Sequence, residues 1–289
     1  MDTRAILAGL AFALIWSSAF TSARIIVTDA PPILSLSFRF LISGMVGIAI
    51  ARMLGQTWRL TPAQWKATIV FGICQNALYL GLNFVAMQSI EASLASIIAS
   101  TMPLAVGFVG WMIFGERLSW IGILGLFAGA LGVALIMGAR MQEGVDLFGI
   151  VLCFIAVASL TVATLMVRGA SSGGNLLMII GLQMLVGSAL LAIPGLFLEH
   201  KVVVWSPKLI IAFSYTVVMP GLVATFIWFW LVRRIGAVKA ATFHFLNPFF
   251  GVAIATIFLG ESLGAWDVVG VVVIMLGILA VQMAHQTLR

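Results

Sequence analysis

The chain has 289 residues, 63% of them hydrophobic and only 8% charged, with a mean hydropathy of +1.20. Soluble domains are nearer half apolar and a quarter charged, so water is excluded as the solvent and the bilayer takes its place. The net charge of +6 then reports orientation in a membrane and not nucleic-acid binding.

A membrane-spanning helix needs roughly 20 mostly apolar residues. Cutting at charges and turn formers gives ten such segments. The first, near 5–27, is too long for a signal-peptide core and lacks a basic flank followed by a small-residue cleavage site. It carries Trp16, Ser17, Phe20, Thr21 and Arg24. The second, near 33–54, holds Arg39, the one charge well inside a span. At a rise of 1.5 Å per residue it lies roughly 9 Å deep, where it either snorkels to the outer surface or meets a substrate carboxylate. The third, near 67–88, places Asn76, Tyr79 and Asn83 on one helical face. A few polar residues around Glu91 separate it from the fourth, near 92–114, which contains Met102 and Pro103. The fifth, near 119–138, carries Gly122, Gly125, Gly129 and Gly132 on one face, a stripe that permits close helix contact within the chain or in a dimer.

The sixth and seventh segments lie near 147–167 and 175–197. The eighth, near 208–232, holds Pro220 and Trp228, and the ninth, near 237–259, holds His244, Asn247, Pro248 and Gly251. The tenth, near 266–285, carries Gly270 and Gly277. Cys74 and Cys153 fall inside apolar segments and read as reduced core residues, with no disulfide framework. With the N-terminus inside, ten Lys and Arg fall on the cytoplasmic side: Arg4, Arg52, Arg59, Lys66, Arg117, Arg168, Arg233, Arg234, Lys239 and Arg289. Four fall outside: Arg24, Arg140, Lys201 and Lys208. The positive-inside bias predicts cytoplasmic termini, as an even number of spans requires.

A shift of 145 residues aligns Ile90 with Ile235, Pro103 with Pro248, Gly115-Glu116 with Gly260-Glu261 and Gly132 with Gly277, without a gap. A weaker match at 140 pairs Leu7, Gly9 and Ile15 with Leu147, Gly149 and Ile155. The expected fold is therefore an all-α integral membrane protein built from two five-helix halves, 1–142 and 143–289. Five is odd, so the second half enters from the opposite face. Inverted repeats with a midplane site at the repeat interface are the signature of secondary transporters; a duplication that only enlarges the bundle is the plainer alternative.

The sequence IWSSAF at Ile15–Phe20, the duplicated Pro and Gly-Glu pairs and the glycine-rich fifth and tenth helices resemble the drug/metabolite transporter superfamily, EamA family. Within it the chain is similar to bacterial aromatic amino-acid exporters of the YddG type. The resemblance covers essentially the whole chain. It implies a ten-helix inner-membrane exporter with a central cavity between the first, third, fourth and sixth helices and their counterparts.

Proline removes the N–H that would bond the carbonyl four residues earlier. Pro103, Pro248 and Pro220 therefore free the carbonyls of Ala99, His244 and Thr216, either as static kinks or as hinges and cavity-lining groups. Polar side chains in a span face the bundle interior. This makes Ser17, Asn76, Tyr79, Asn83, His244 and Asn247 substrate candidates, with interhelical hydrogen bonding as the alternative for each Asn. Trp16, Phe20, Met102 and Trp228 are the candidate apolar wall. His244 is either a packed neutral ring or a proton carrier. Glu116 and Glu261 end the fourth and ninth helices and are expected to cap or anchor turns.

No Asp or Glu lies mid-span, which argues against cation/proton antiport. No GxxxxGK[ST] loop occurs, so no ATP use is expected. No paired carboxylates, HExxH or Ser/His/Asp set falls in the spans, so an enzyme is not expected, nor a cofactor or metal. The partners expected are a small-molecule substrate and the lipid bilayer, with a monomer or weak homodimer as the assembly. The function expected is secondary export of small metabolites, foremost amino acids with aromatic or other apolar side chains, by alternating access. A nucleotide-sugar or phosphorylated-solute carrier is the alternative; it would need more cavity-facing Lys or Arg than Arg39 and Lys239.

Overall fold

The computed structural model describes residues 3–115, 119–166, 173–200, 202–235, 240 and 242–287. Glu116, and the basic residues Arg117, Arg168, Lys201, Lys239 and Arg289 used above for orientation, lie outside the described residues. Every regular element described is helical. In chain order these are α1 (Thr3–Asp29), α2 (Pro32–Met53), α3 (Pro62–Ala86), α4 (Ala92–Met112), α5 (Trp120–Gln142), α6 (Leu147–Met166) and α7 (Leu176–Leu198). They continue as α8 (Pro207–Val218, a π turn Met219–Val223, Ala224–Ile235), α9 (Phe243–Leu259) and α10 (Ala265–Thr287). Among the described residues nine are long and apolar enough to cross a membrane, and α9 is a shorter apolar helix.

Local chemistry sets the ends. α3 begins earlier than its apolar run predicts, because Thr61 and Gln64 form a capping box and Pro62 occupies the first turn. Ser206 caps α8 by accepting from the Leu209 N–H at 3.1 Å. Gly260 ends α9 at φ 69°, a left-handed conformation that glycine adopts without strain.

Two long helix pairs, α2–α7 and α5–α10, have the most extensive contacts. Both are glycine seams. A Cβ on Gly181 would lie 2.9 Å from the Gly44 carbonyl, and one on Gly277 would lie 2.7 Å from the Gly125 carbonyl. The stripes on α5 and α10 thus face each other within one chain. The outward face of α5 keeps large apolar side chains exposed, such as Trp120 and Phe127. In water that would be a defect; in hydrocarbon it is the required surface.

Carboxylates tie one end of the bundle together. Glu261, past the end of α9, does not cap its own turn: it accepts from the Ala92 and Ser93 N–H groups at 2.8 and 2.9 Å and so caps α4. Glu199 does the same for α2, accepting from Ile33 and Leu34, both at 2.8 Å. Free N–H groups and the positive helix end make these favourable anion positions.

At the same end the Arg140 guanidinium is shared by Asp267 at 2.8 Å, Glu91 at 2.9 Å and Glu143 at 3.4 Å. Burial, with Glu261 and Asp267 nearby, outweighs the pull of Arg140 and raises the Glu91 carboxyl above its ordinary 4.5. An acid whose pKa is raised by folding binds its proton more tightly in the folded state. Stability should therefore fall as pH rises above 4.5 through the raised value. Glu91→Gln is expected to flatten that part of the profile, as read from thermal unfolding midpoints between acid and neutral pH.

Candidate functional site

Four helices depart from α geometry, three near their middle and α9 in its first described turn. α4 stops at Ala99 and restarts at Met102, with Pro103 in the new first turn. α9 runs as 3-10 helix over Thr242–Leu246 and becomes α at Asn247, with Pro248 next. α8 widens to a π turn at Met219–Val223 around Pro220. α3 is π-helical over Gly72–Leu80 with no proline; there the Ser159 hydroxyl donates to the Cys74 carbonyl at 2.9 Å. Broken or widened turns expose backbone groups that need other partners, and in membranes such segments are tolerated only inside protein or along a cavity.

The breaks in α4 and α9 border a narrow cleft between α1, α3, α4, α6 and α9. Its open volume is about 20 Å³, so its walls stand nearly closed on one another. Trp16, Phe20, Tyr79, Met102, His244 and Asn247, six of the ten residues expected from the sequence to bind substrate, line it together with Pro103. Ala99, Ser100 and Leu160 also line it and were not singled out, since a small or aliphatic residue in a span carries no distinguishing signal.

The other four expected residues sit behind or away from the wall. Ser17 is buried and donates to the Asn247 carbonyl at 3.3 Å, holding α1 to the α9 break. The Trp228 ring meets His244 edge-on at 5.1 Å between centroids and lies tilted against Phe12 at 5.0 Å. Phe12 lies four residues before Trp16 on the same face of α1, a spacing that could have revealed it. Asn83 donates to the Tyr79 carbonyl at 2.8 Å and accepts from the Cys153 thiol at 3.5 Å. Asn76 points elsewhere: it donates to the Gln183 carbonyl at 2.9 Å and packs where a Cβ on Gly187 of α7 would go.

Arg39 neither snorkels nor faces the cleft. It is 5% exposed, and its Nε donates to the Thr216 carbonyl at 3.2 Å. That carbonyl is the one Pro220 deprives of its helical partner, so the guanidinium replaces a missing N–H. Pro220→Ala restores that N–H and makes the Arg39 bond redundant. Arg39→Gln should therefore cost less in the Pro220→Ala background than in the wild type. A coupling of about 0.5–3 kcal/mol is expected in a double-mutant cycle on unfolding, and additive effects would refute the substitution of one donor for the other.

Ten apolar helices among the described residues, five of them walling a cleft of aromatic and uncharged polar side chains with breaks at its edge, have the architecture of a multi-pass membrane transporter. The profile of the EamA-like transporter family matches residues 3–138 and again 147–283, so the chain belongs to that family. Among its relatives are the uncharacterized transporter YvbV of Bacillus subtilis (strain 168), 26% identical over 93% of this chain and 88% of that one. The uncharacterized inner membrane transporter YedA of Escherichia coli (strain K12) is also 26% identical, over 92% of this chain and 87% of its own. A crystal structure 19% identical in sequence superposes with a TM-score of 0.71 over 99% of both chains, which establishes the likeness of fold.

Proposed function

We propose that this transporter exports amino acids with aromatic or other apolar side chains by alternating access between two inverted repeats, 1–142 and 143–289, in a bacterial inner membrane with both termini cytoplasmic. The observation that carries the substrate reading is the convergence of two half-helix starts on one aromatic cleft. Met102 and Asn247, which are 145 residues apart, each open a helix with no side-chain cap, and both line the cleft. An uncapped helix start attracts a carboxylate, and the carbonyl end at Ala99–Ser100 beside it suits an ammonium. Trp16, Phe20, Tyr79 and Met102 then suit an apolar side chain. A phosphorylated solute would bring at least two negative charges to a wall with no Lys or Arg among the described residues.

The inverted repeat is supported by the 145-residue match and by helix pairing. α2 packs on α7 and α5 on α10, and α3–α6 contact is mirrored by α8–α1 contact. The two π segments, at Gly72–Leu80 and Met219–Val223, overlap under the same shift. Pro103, Pro248 and Pro220 are the hinge candidates, because each marks a break that can flex without losing a helical bond.

The test is flux of labelled Phe, Trp, Thr and Met in proteoliposomes, with and without a pH step. Transport of the aromatic substrates is expected, and no transport of any amino acid would sink the substrate reading. Tyr79→Ala, which removes one wall of the cleft, should slow flux by about tenfold or more, equivalent to about 1.4 kcal/mol. Wild-type kinetics in that variant would move the site elsewhere. pH-dependent flux that survives His244→Ala would exclude proton coupling through that ring.

A further inference from the structure

Within the cleft, one pair of side chains has hydrogen-bonding capacity that the protein itself leaves unused. His244 and Asn247 lie three residues apart at the α9 break and are 8% and 6% exposed. The Asn247 Nδ2 and the His244 Nδ1 are 2.9 Å apart. An amide nitrogen only donates, so Nδ1 accepts and the ring proton is on Nε2. The Asn247 Oδ1 is buried with no partner among the described residues. With the amide as placed, Oδ1 is the open acceptor. A buried acceptor without a donor is costly, and the protein has not removed it by substituting an apolar residue.

The surroundings restrict what can complete the pair. Phe12, Trp16 and Trp228 hold the imidazole edge-on, with ring centroids 5.3, 6.3 and 5.1 Å away. Trp16, Phe20 and Met102 give the wall its apolar surface, Tyr79 and Ser100 add uncharged polar groups, and no Asp, Glu, Lys or Arg lines it among the described residues. A charged side chain on the solute, held against these rings, would be desolvated without a counter-charge.

We propose that the His244–Asn247 pair determines specificity by selecting a flat apolar group that carries one uncharged N–H or O–H donor. This rests on reading the cleft as the substrate site. A ring of the same shape without the donor would fit the walls but leave the acceptor orphaned, and a site built to hydrogen-bond an N–H or O–H discriminates strongly against such an analogue.

The experiment uses the full chain in lipid nanodiscs and titration calorimetry with three probes: indole, 1-methylindole and benzothiophene. The last two lack the N–H. Indole should bind about tenfold more tightly than either, in keeping with one buried hydrogen bond. In Asn247→Leu, indole should fall to the level of the other two while benzothiophene binds as before. Equal binding of all three by the wild type, no binding of any, or a preference for indole that survives Asn247→Leu would each overturn the proposal. The wild-type comparison needs no variant to fold. Amino-acid flux without a donor preference would overturn this inference alone. A donor preference without amino-acid flux would overturn the substrate reading alone.

Discussion

Arg140→Met is expected to destabilise the protein by about 3–5 kcal/mol, the cost of removing one partner from a buried ion pair. Asp267 is 2% exposed and meets Arg140 through an ion pair at 2.8 Å and an Nε hydrogen bond at 3.2 Å. Without the guanidinium, Asp267 keeps among the described residues only the Gly264 N–H at 3.0 Å and the start of α10. Glu91 loses its counter-charge in the same step. The lesion is an uncompensated charge and not a lost contact, so adding Asp267→Asn should recover part of the loss. The measurement is thermal unfolding of the purified protein. A midpoint unchanged by Arg140→Met, or a double variant no better than the single, would show that the cluster is solvated and energetically idle.

Gly277→Ala is expected to cost about 1–3 kcal/mol, the usual range for overpacking, and Gly277→Leu to prevent assembly of the native helix pair. The new Cβ would stand 2.7 Å from both the Gly125 carbonyl and the Gly129 nitrogen. Those are backbone atoms with no rotamer to escape into, so α5 and α10 would have to separate along the seam. Gly138 supplies the control. It is on α5 with nothing within 4 Å of its Cβ position. Gly138→Ala should be neutral or gain up to about 1 kcal/mol from helix propensity. Thermal midpoints and monodispersity of the three variants decide it; a tolerated Gly277→Leu would mean that the seam is not tightly packed.

The sequence determined the solvent, the ten apolar segments, most helix ends and the family, because these rest on runs and caps that are local along the chain. It also pointed to the polar faces of α3 and α9. Within those faces it could not say which side chain met the cleft. Asn76 and Tyr79, three residues apart, share a face on an α-helix, but the π turns of α3 spread them. Asn76 goes to α7, and Tyr79 goes to the cleft.

Tertiary structure decided the pairings that span long stretches of chain. Arg39 finds the Thr216 carbonyl 177 residues away. Glu261 caps a helix that begins 169 residues earlier, and the Glu199 cap on α2 is separated by 166. A charge in a span has several physically acceptable outcomes, and only the packed neighbours select among them. For Arg39 the choice turned on the carbonyl that Pro220 left without a partner.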